Sequence, residues 1–181
     1  MPAYPQKPED FADCLYTREE IDQALDGLAT RITTRYATLD PLVVTVLNGG
    51  LVMAGHLITR LAFPLRLDYI HATRYRGAQT GDKLHWLAPP HTDLAGRHVL
   101  LLDDILDEGY TLEALEQYCH EQRVASVASA VLLKKIHPRT VADISPEFVA
   151  LEVEDRYVFG FGMDLEHEWR NANGIFALRE E

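Results

Sequence analysis

Cysteine is scarce: Cys14 and Cys119 are the two in 181 residues, far apart and outside any C-x-x-C spacing. That excludes a disulfide scaffold and leaves no support for a structural zinc site. Long apolar runs are also missing. Stretches such as VASAVLL (127–133) are far too short to cross a bilayer. Positive charge is in deficit, with 17 Lys and Arg against 28 Asp and Glu and a net charge of −11. Such a surface repels nucleic acid, so a nucleic-acid binder is not expected. Neither G-x-x-x-x-G-K-[ST] nor G-x-G-x-x-G occurs, which removes the common nucleotide-triphosphate and dinucleotide loops. None of the eight histidines has H-x-x-x-H or H-E-x-x-H spacing. They read as solvated surface, Glu166-His167-Glu168 included, and His137-Pro138-Arg139 reads as a turn. The first ten residues, MPAYPQKPED, lack the apolar core of a signal peptide. A cytoplasmic protein without a membrane partner is expected.

What remains is an ordinary globular composition, 47% hydrophobic and 25% charged, with no repeat or linker to divide it. Thr17 and Glu20 have capping-box spacing, and Ile21, Leu25, Leu28 and Ile32 follow at helical intervals, so residues 17–36 should form a helix. PLVVTVL (41–47) should be a strand, Asn48-Gly49-Gly50 a turn, and 51–62 a helix, the opening of a βαβ unit. Strands are expected at 65–75, 97–106, 124–135, 148–155 and 156–163, and a helix at 111–122. Residues 76–83 are small, polar or charged and read as a loop. Alternating strands and helices favour an α/β domain with a mainly parallel twisted sheet. In such sheets ligands lie beyond the carboxyl ends of the strands.

The most informative segment is Val99 to Leu112, VLLLDDILDEGYTL. Leu100, Leu101 and Leu102 run directly into Asp103 and Asp104. Adjacent carboxylates at the end of a buried strand repel each other and lose hydration, so they call for hydroxyl donors, amides or a hard cation. Gly109 and Thr111 then lead into a helix whose first N–H groups and dipole favour an anion. Carboxylates for sugar hydroxyls or metal, followed by amides for phosphate, suit the two ends of a ribose 5-phosphate. Singly, each Asp is equally a solvated loop residue and Thr111 equally a helix cap.

VLLLDDILDEGYTL resembles the phosphoribosyl-diphosphate signature of the type I phosphoribosyltransferases. VLNGG, ATRYRGAQTGD, VLLKK and RYVFGFGMDLEHEWRN are similar, in order, to segments of hypoxanthine-guanine phosphoribosyltransferases, so that the likeness spans about residues 15–178. It implies one domain over 1–181, with a core of about 37–150 and a small hood from 1–36 and 151–181. It also implies transfer of ribose 5-phosphate from phosphoribosyl diphosphate to N9 of a 6-oxopurine, with Mg2+, in a homodimer or homotetramer.

Residue roles follow from the same resemblance. Asp103 and Asp104 would hold the ribose hydroxyls near magnesium, and Asp107 would face purine N7 as the proton acceptor or donor. Backbone amides of Asp107, Glu108, Gly109, Tyr110 and Thr111 would take the 5′-phosphate. Leu47, Asn48 and Gly49 would form the pyrophosphate loop, with a non-proline cis peptide between Leu47 and Asn48, and Arg170 would grip the same group. Lys135 would donate to the purine 6-oxo group, with Lys134 facing the other way. Tyr157 would stack on the base and Val158 meet its exocyclic edge through the backbone. Asp164 would reach the metal, and Arg74 and Tyr75 would stand at the base of a lid over 74–84.

Three departures accompany the resemblance: Glu108 and Tyr110 where relatives often carry Thr and Lys, Asn48 where they often carry Lys, and Arg74 in place of Ser. A carboxylate beside a phosphate is unfavourable, so the Glu108 side chain should point away from it. Two other functions share this architecture. A regulator that binds the same ligands should carry a basic surface, which the −11 charge disfavours. A transferase for adenine conflicts with a donor at Lys135, whereas xanthine does not.

Overall fold

The computed structural model describes residues 7–74, 84–139 and 144–179. Its elements are β1 (Ala12–Thr17), α1 (Arg18–Tyr36), β2 (Leu42–Leu47), α2 (Gly50–Ile58), β3 (Arg66–Arg74), β4 (Leu84–Ala88), β5 (His98–Leu106), α3 (Tyr110–Glu121), β6 (Ser126–Ile136), β7 (Phe148–Glu154), β8 (Val158–Phe159) and β9 (Gly174–Leu178). Six strands form the central sheet in the order β4-β3-β2-β5-β6-β7. Every pairing in it is parallel except the antiparallel edge pair β3–β4. A small antiparallel sheet, β1-β9-β8, comes from the two ends of the chain. The central sheet is the mainly parallel α/β arrangement that the sequence predicts, and the small sheet stands apart from it.

The apolar strand runs are long because both faces of the sheet are covered. Val43, Leu100 and Leu102 enter one cluster with the buried side chains of α1 and α2. Their neighbours Leu42, Val44, Val99 and Leu101 enter the other, with Leu112, Leu115 and Cys119 of α3. The period-two alternation of a strand thus feeds two cores. The first cluster continues into Val158, Ile175 and Ala177 of the small sheet, so one apolar body joins both sheets. Arg18 adds a polar tie: it lies over the Phe161 ring at 5.5 Å and donates to Asn173 Oδ1 at 3.2 Å.

Five segments differ from the sequence expectation. α2 ends at Ile58, not 62, because tight turns close on Leu57 and Ile58 ahead of Pro64. Residues 156–163 contribute only the two-residue β8, since the backbone turns left-handed at Gly160, Phe161 and Gly162. β1, β4 and β9 are strands that the sequence pattern does not single out; each is an edge strand or belongs to the small sheet, where alternation is weak.

The capping box on α1 forms as its spacing predicts: the Glu20 N–H donates to Thr17 Oγ1 at 3.3 Å, and Thr17 N–H donates to Glu20 Oε2 at 2.8 Å. Loss of such a cap costs about 1 kcal/mol. Thr17→Ala is therefore expected to lower the melting temperature by about 2–4 °C with an unchanged far-UV spectrum. An unaltered melt in calorimetry would show that the box contributes nothing.

Candidate active site

The carboxyl ends of β2, β5 and β6 open onto two adjoining cavities. The larger, about 470 Å³, is lined by Leu47, Gly49, Asp103, Asp104, the segment Asp107 to Thr111, Arg139, Asp164 and Arg170, among others. The smaller, about 180 Å³, is lined by Asp104, Ile105, Asp107, Lys135, Tyr157, Val158, Met163 and Asp164. Asp104, Ile105, Asp107 and Asp164 line both, so the acidic end of β5 is the partition between them. Residues scattered over more than a hundred positions in sequence converge here because parallel strands end on one rim.

Asp103 is buried on β5, and its Oδ1 accepts from the Asp104 N–H at 2.9 Å. Asp104 Oδ1 in turn accepts from the Ile105 N–H at 2.8 Å. Burial, and next the neighbouring charge of Asp104, pushes the Asp103 carboxyl well above the usual carboxylate range. Burial also raises Asp104, against its local hydrogen bonds and the charge of Arg170. Two desolvated oxygen ligands side by side suit a hard divalent cation or sugar hydroxyls.

The turn Leu47-Asn48-Gly49 approaches this pair closely, and the Leu47–Asn48 peptide is cis, as the resemblance implies. A Cβ on Gly49 would overlap the Asp104 carboxylate, so a side chain there is incompatible with the observed position of Asp104. From the other side Gly162, at φ +109°, packs where a Cβ would overlap the Gly49 carbonyl oxygen. Arg170 holds that layer together, donating to Gly162 O at 2.6 Å and to Asp164 Oδ1 at 2.6 Å. The His167 N–H occupies Asp164 Oδ2 at 2.9 Å.

Beyond Leu106 the chain turns through left-handed Gly109 into α3. The start of α3 lines the larger cavity, so an anion there meets the positive end of a helix dipole and the N–H groups of a first turn. Glu108 lines the same cavity, with its carboxylate 3.8 Å from the Arg139 guanidinium.

Asp107 sits among cations. Lys135 Nζ donates to its Oδ2 at 2.8 Å and His137 Nε2 lies 2.7 Å from Oδ1. Burial alone would push the Asp107 carboxyl up. The hydrogen bonds from Lys135 and His137, and then the positive charge of Lys135, outweigh it and hold the group below the usual carboxylate range. Arg139 lies 4.0 Å from Asp107 and donates to Asp155 Oδ2 at 2.6 Å. Among the described residues, Asp107, His137 and Asp155 place three ligand atoms within 4.8 Å of one another. Lys135 and Arg139 already neutralise that cluster, so a metal ion there would meet two cations at contact distance.

The structure therefore brings together Leu47, Gly49, Asp103, Asp104, Asp107 to Thr111, Lys135, Tyr157, Val158, Asp164 and Arg170. Tyr157, half exposed, stands on the cavity wall and not in the core. Arg74 closes β3; its side chain and Tyr75, with the rest of 75–83, lie outside the described residues. His137 corrects a sequence reading: its side chain is only 1% exposed and bonded to Asp107, not solvated surface or simply part of a turn. The available signal was its two-residue spacing from Lys135, which puts both on one side of an extended chain. Asp155 and Arg139 carried no comparable signal.

Residues 12–168 match the phosphoribosyl transferase domain, and the chain belongs to that family. Its relatives narrow the class to the hypoxanthine-guanine phosphoribosyltransferases. It is 30% identical to the hypoxanthine-guanine-xanthine phosphoribosyltransferase of Tritrichomonas foetus, over 95% of this chain and 94% of that one. It is also 30% identical to the hypoxanthine-guanine phosphoribosyltransferase of Streptococcus pneumoniae, over 95% and 96%. Among solved structures, a hypoxanthine phosphoribosyltransferase from Staphylococcus aureus superposes with a TM-score of 0.88 at 26% identity, over 94% of this chain and 93% of that one. The family implies a divalent metal with the diphosphate substrate. The adjacent carboxyls of Asp103, which is buried, and Asp104, which is partly buried, fit such an ion.

The contact between Gly49 and Asp104 can be tested without substrate. Gly49→Ala should destabilise the protein by about 1–3 kcal/mol through overpacking. Removing the opposing carboxylate in Asp104→Ala should relieve part of that cost. The double variant should then melt above the value obtained by adding the two single effects. Simple additivity in denaturant melts would mean that the two residues do not meet.

Proposed function

We propose that this protein is a purine-salvage transferase that moves ribose 5-phosphate from phosphoribosyl diphosphate to N9 of hypoxanthine or guanine. The products are IMP or GMP and pyrophosphate. The observation that carries this reading is the partition: one acidic strand end separates a cavity fit for a sugar phosphate from one fit for a planar base.

In this reading the larger cavity takes the phosphoribosyl group. Asp103 and Asp104 hold the ribose hydroxyls, and the amides from Asp107 to Thr111 hold the 5′-phosphate at the start of α3. The turn Leu47-Asn48-Gly49 and Arg170 take the pyrophosphate; a planar fork of donors suits that group. Asp103, Asp104 and Asp164 would hold magnesium, which when bound would supply positive charge to offset that of the leaving pyrophosphate. The base lies in the smaller cavity, stacked on Tyr157, with Lys135 donating to O6 and Val158 meeting its exocyclic edge. Adenine is excluded because its 6-amino group would face the Lys135 ammonium, donor to donor.

As the C1′–O bond to pyrophosphate breaks, C1′ gains positive charge, which the carboxylates beside it stabilise. N9 then forms the new bond to C1′ with its lone pair. Asp107 accepts the proton released from N7, a role open to it because it is ionised at neutral pH. Arg74 and Tyr75 would close the site against water during this step. Assembly as a homodimer or homotetramer, and a place in the cytoplasm, belong to the same proposal. No helix among the described residues is long and apolar enough to cross a membrane.

A spectrophotometric assay with phosphoribosyl diphosphate, magnesium and each base in turn is expected to give turnover with hypoxanthine and guanine and none with adenine. Xanthine belongs in the same assay, since a backbone contact at Val158 does not decide the group at position 2. Absence of turnover with every 6-oxopurine would overturn the reading. Asp107→Asn should lower kcat by about a hundredfold with little change in nucleotide affinity. Asp103→Ala combined with Asp104→Ala should raise KM for phosphoribosyl diphosphate by about tenfold or more.

A further inference from the structure

His137 has no role in the site as proposed, yet it is more completely enclosed than the residues that do. Its side chain is 1% exposed, against 11% for Lys135 and 42% for Asp107. Both ring nitrogens are engaged. Nδ1 accepts the backbone N–H of Arg139 at 3.1 Å, and Nε2 lies 2.7 Å from Asp107 Oδ1. A ring that accepts at Nδ1 carries its proton on Nε2, so the network assigns a neutral imidazole donating to the carboxylate.

Asp107 meanwhile has its other oxygen, Oδ2, bound by Lys135 Nζ at 2.8 Å. These two donors are not equivalent. The ammonium ends a flexible four-carbon stem and lines the base cavity, where the 6-oxo group requires it. The imidazole is rigid and pinned at both ends. Once Lys135 turns to the base, Oδ2 is released and Oδ1 keeps its donor.

We propose that His137 is the positioning residue for Asp107: its Nε2–H holds Oδ1 and so presents Oδ2 to the N7 proton of the purine when Lys135 moves to O6. This rests on the reading of Asp107 as the proton acceptor. Without His137 the carboxylate could rotate about its last bond and would follow Lys135 away from N7. The histidine also stabilises the carboxylate charge at the moment when the ammonium leaves it.

The charge that Asp107 feels comes from several elements. Lys135 and Arg139 approach from β6 and the turn after it, and Asp155, past the end of β7, engages both of those cations. Glu108 is its chain neighbour, while Asp104, Asp164 and Tyr157 line the same cavity as Asp107. Among these, His137 is the one neutral donor bonded directly to the carboxylate. A donor to the charged form lowers a carboxyl pKa, so its loss should raise that of Asp107 and move the acidic limb of activity to higher pH.

Two variants and one measurement on the unaltered protein test this. His137→Phe keeps the ring volume and removes the donor, whereas His137→Gln restores an amide donor near the Nε2 position. The Phe variant is expected to lose about tenfold in kcat and to shift the acidic limb of kcat/KM upward, with KM for phosphoribosyl diphosphate within about twofold. The Gln variant should recover most of both effects. Combined with Asp107→Asn, His137→Phe should cause no further loss, because His137 acts only through that carboxylate. An unmoved pH limb and kcat in His137→Phe, with Asp107→Asn still strongly impaired, would overturn the positioning role alone. Full activity in Asp107→Asn would instead overturn the underlying assignment of the proton acceptor. Nitrogen NMR of the ring in the unaltered protein gives a readout independent of folding in the variants. It should find protonated Nε2 and bare Nδ1 at neutral pH, and the opposite tautomer or a doubly protonated ring would refute the proposal.

Discussion

Two carboxylates, Asp103 and Asp104, stand side by side where the most apolar strand of the protein reaches the rim of its sheet, and both have lost most of their water. Their position follows from burial on both faces of β5, which commits Leu100, Leu101 and Leu102 and carries the next residues with them. Adjacent negative charges in a dry setting are unfavourable until something positive or strongly donating arrives. Much of the site is shaped around that need. The Gly49 turn packs against Asp104 with no side chain between, Gly162 packs on Gly49, and Arg170 secures that layer through Gly162 and Asp164. A phosphoribosyl group with a divalent metal, the ligand proposed above for this family member, would satisfy the pair.

A chain of net charge −11 has to supply its cations locally. It does so by placing Lys135, Arg139 and Arg170 at the cavities while acidic groups dominate the composition. The balance is tight around Asp107, where Lys135 and Arg139, with His137 as a neutral donor, face Asp107, Asp155 and Glu108. Glu108 lines the larger cavity, and the Arg139 guanidinium 3.8 Å from its carboxylate is a source of compensating charge there. Redundancy of this sort lets one donor leave for substrate while another keeps the carboxylate in place.

Much of the frame was legible in advance because it rests on local rules. The capping box at Thr17 and Glu20 and the helical spacing from Ile21 to Ile32 depend on neighbours within a turn or two. The same holds for the unbroken apolar run that ends in Asp103 and Asp104, and for Gly109 ahead of α3. Most of the site residues were reached through the resemblance, since Lys135 and Tyr157 have ordinary local surroundings. Elements stabilised from far away escaped: β1 and β9 are short and weakly patterned, and their pairing is a contact between the two ends of the chain. The stretch 156–163 misled for the opposite reason. Its β-rich composition is overridden where the backbone turns left-handed from Gly160 to Gly162, with Gly160 packed closely against Gly174 and Gly162 against Gly49.

His137 marks the boundary between the two kinds of knowledge. By itself the sequence determined an α/β domain, an acidic strand end poised for a sugar phosphate, and a helix start able to receive an anion. Periodicity, charge adjacency and turn chemistry are properties of neighbouring residues. Only the tertiary structure decided that a histidine in an apparent turn is enclosed, accepts from Arg139 and donates to Asp107. Burial and hydrogen-bond partners across strands arise when β5 and β6 pair in register, and no local pattern encodes that meeting.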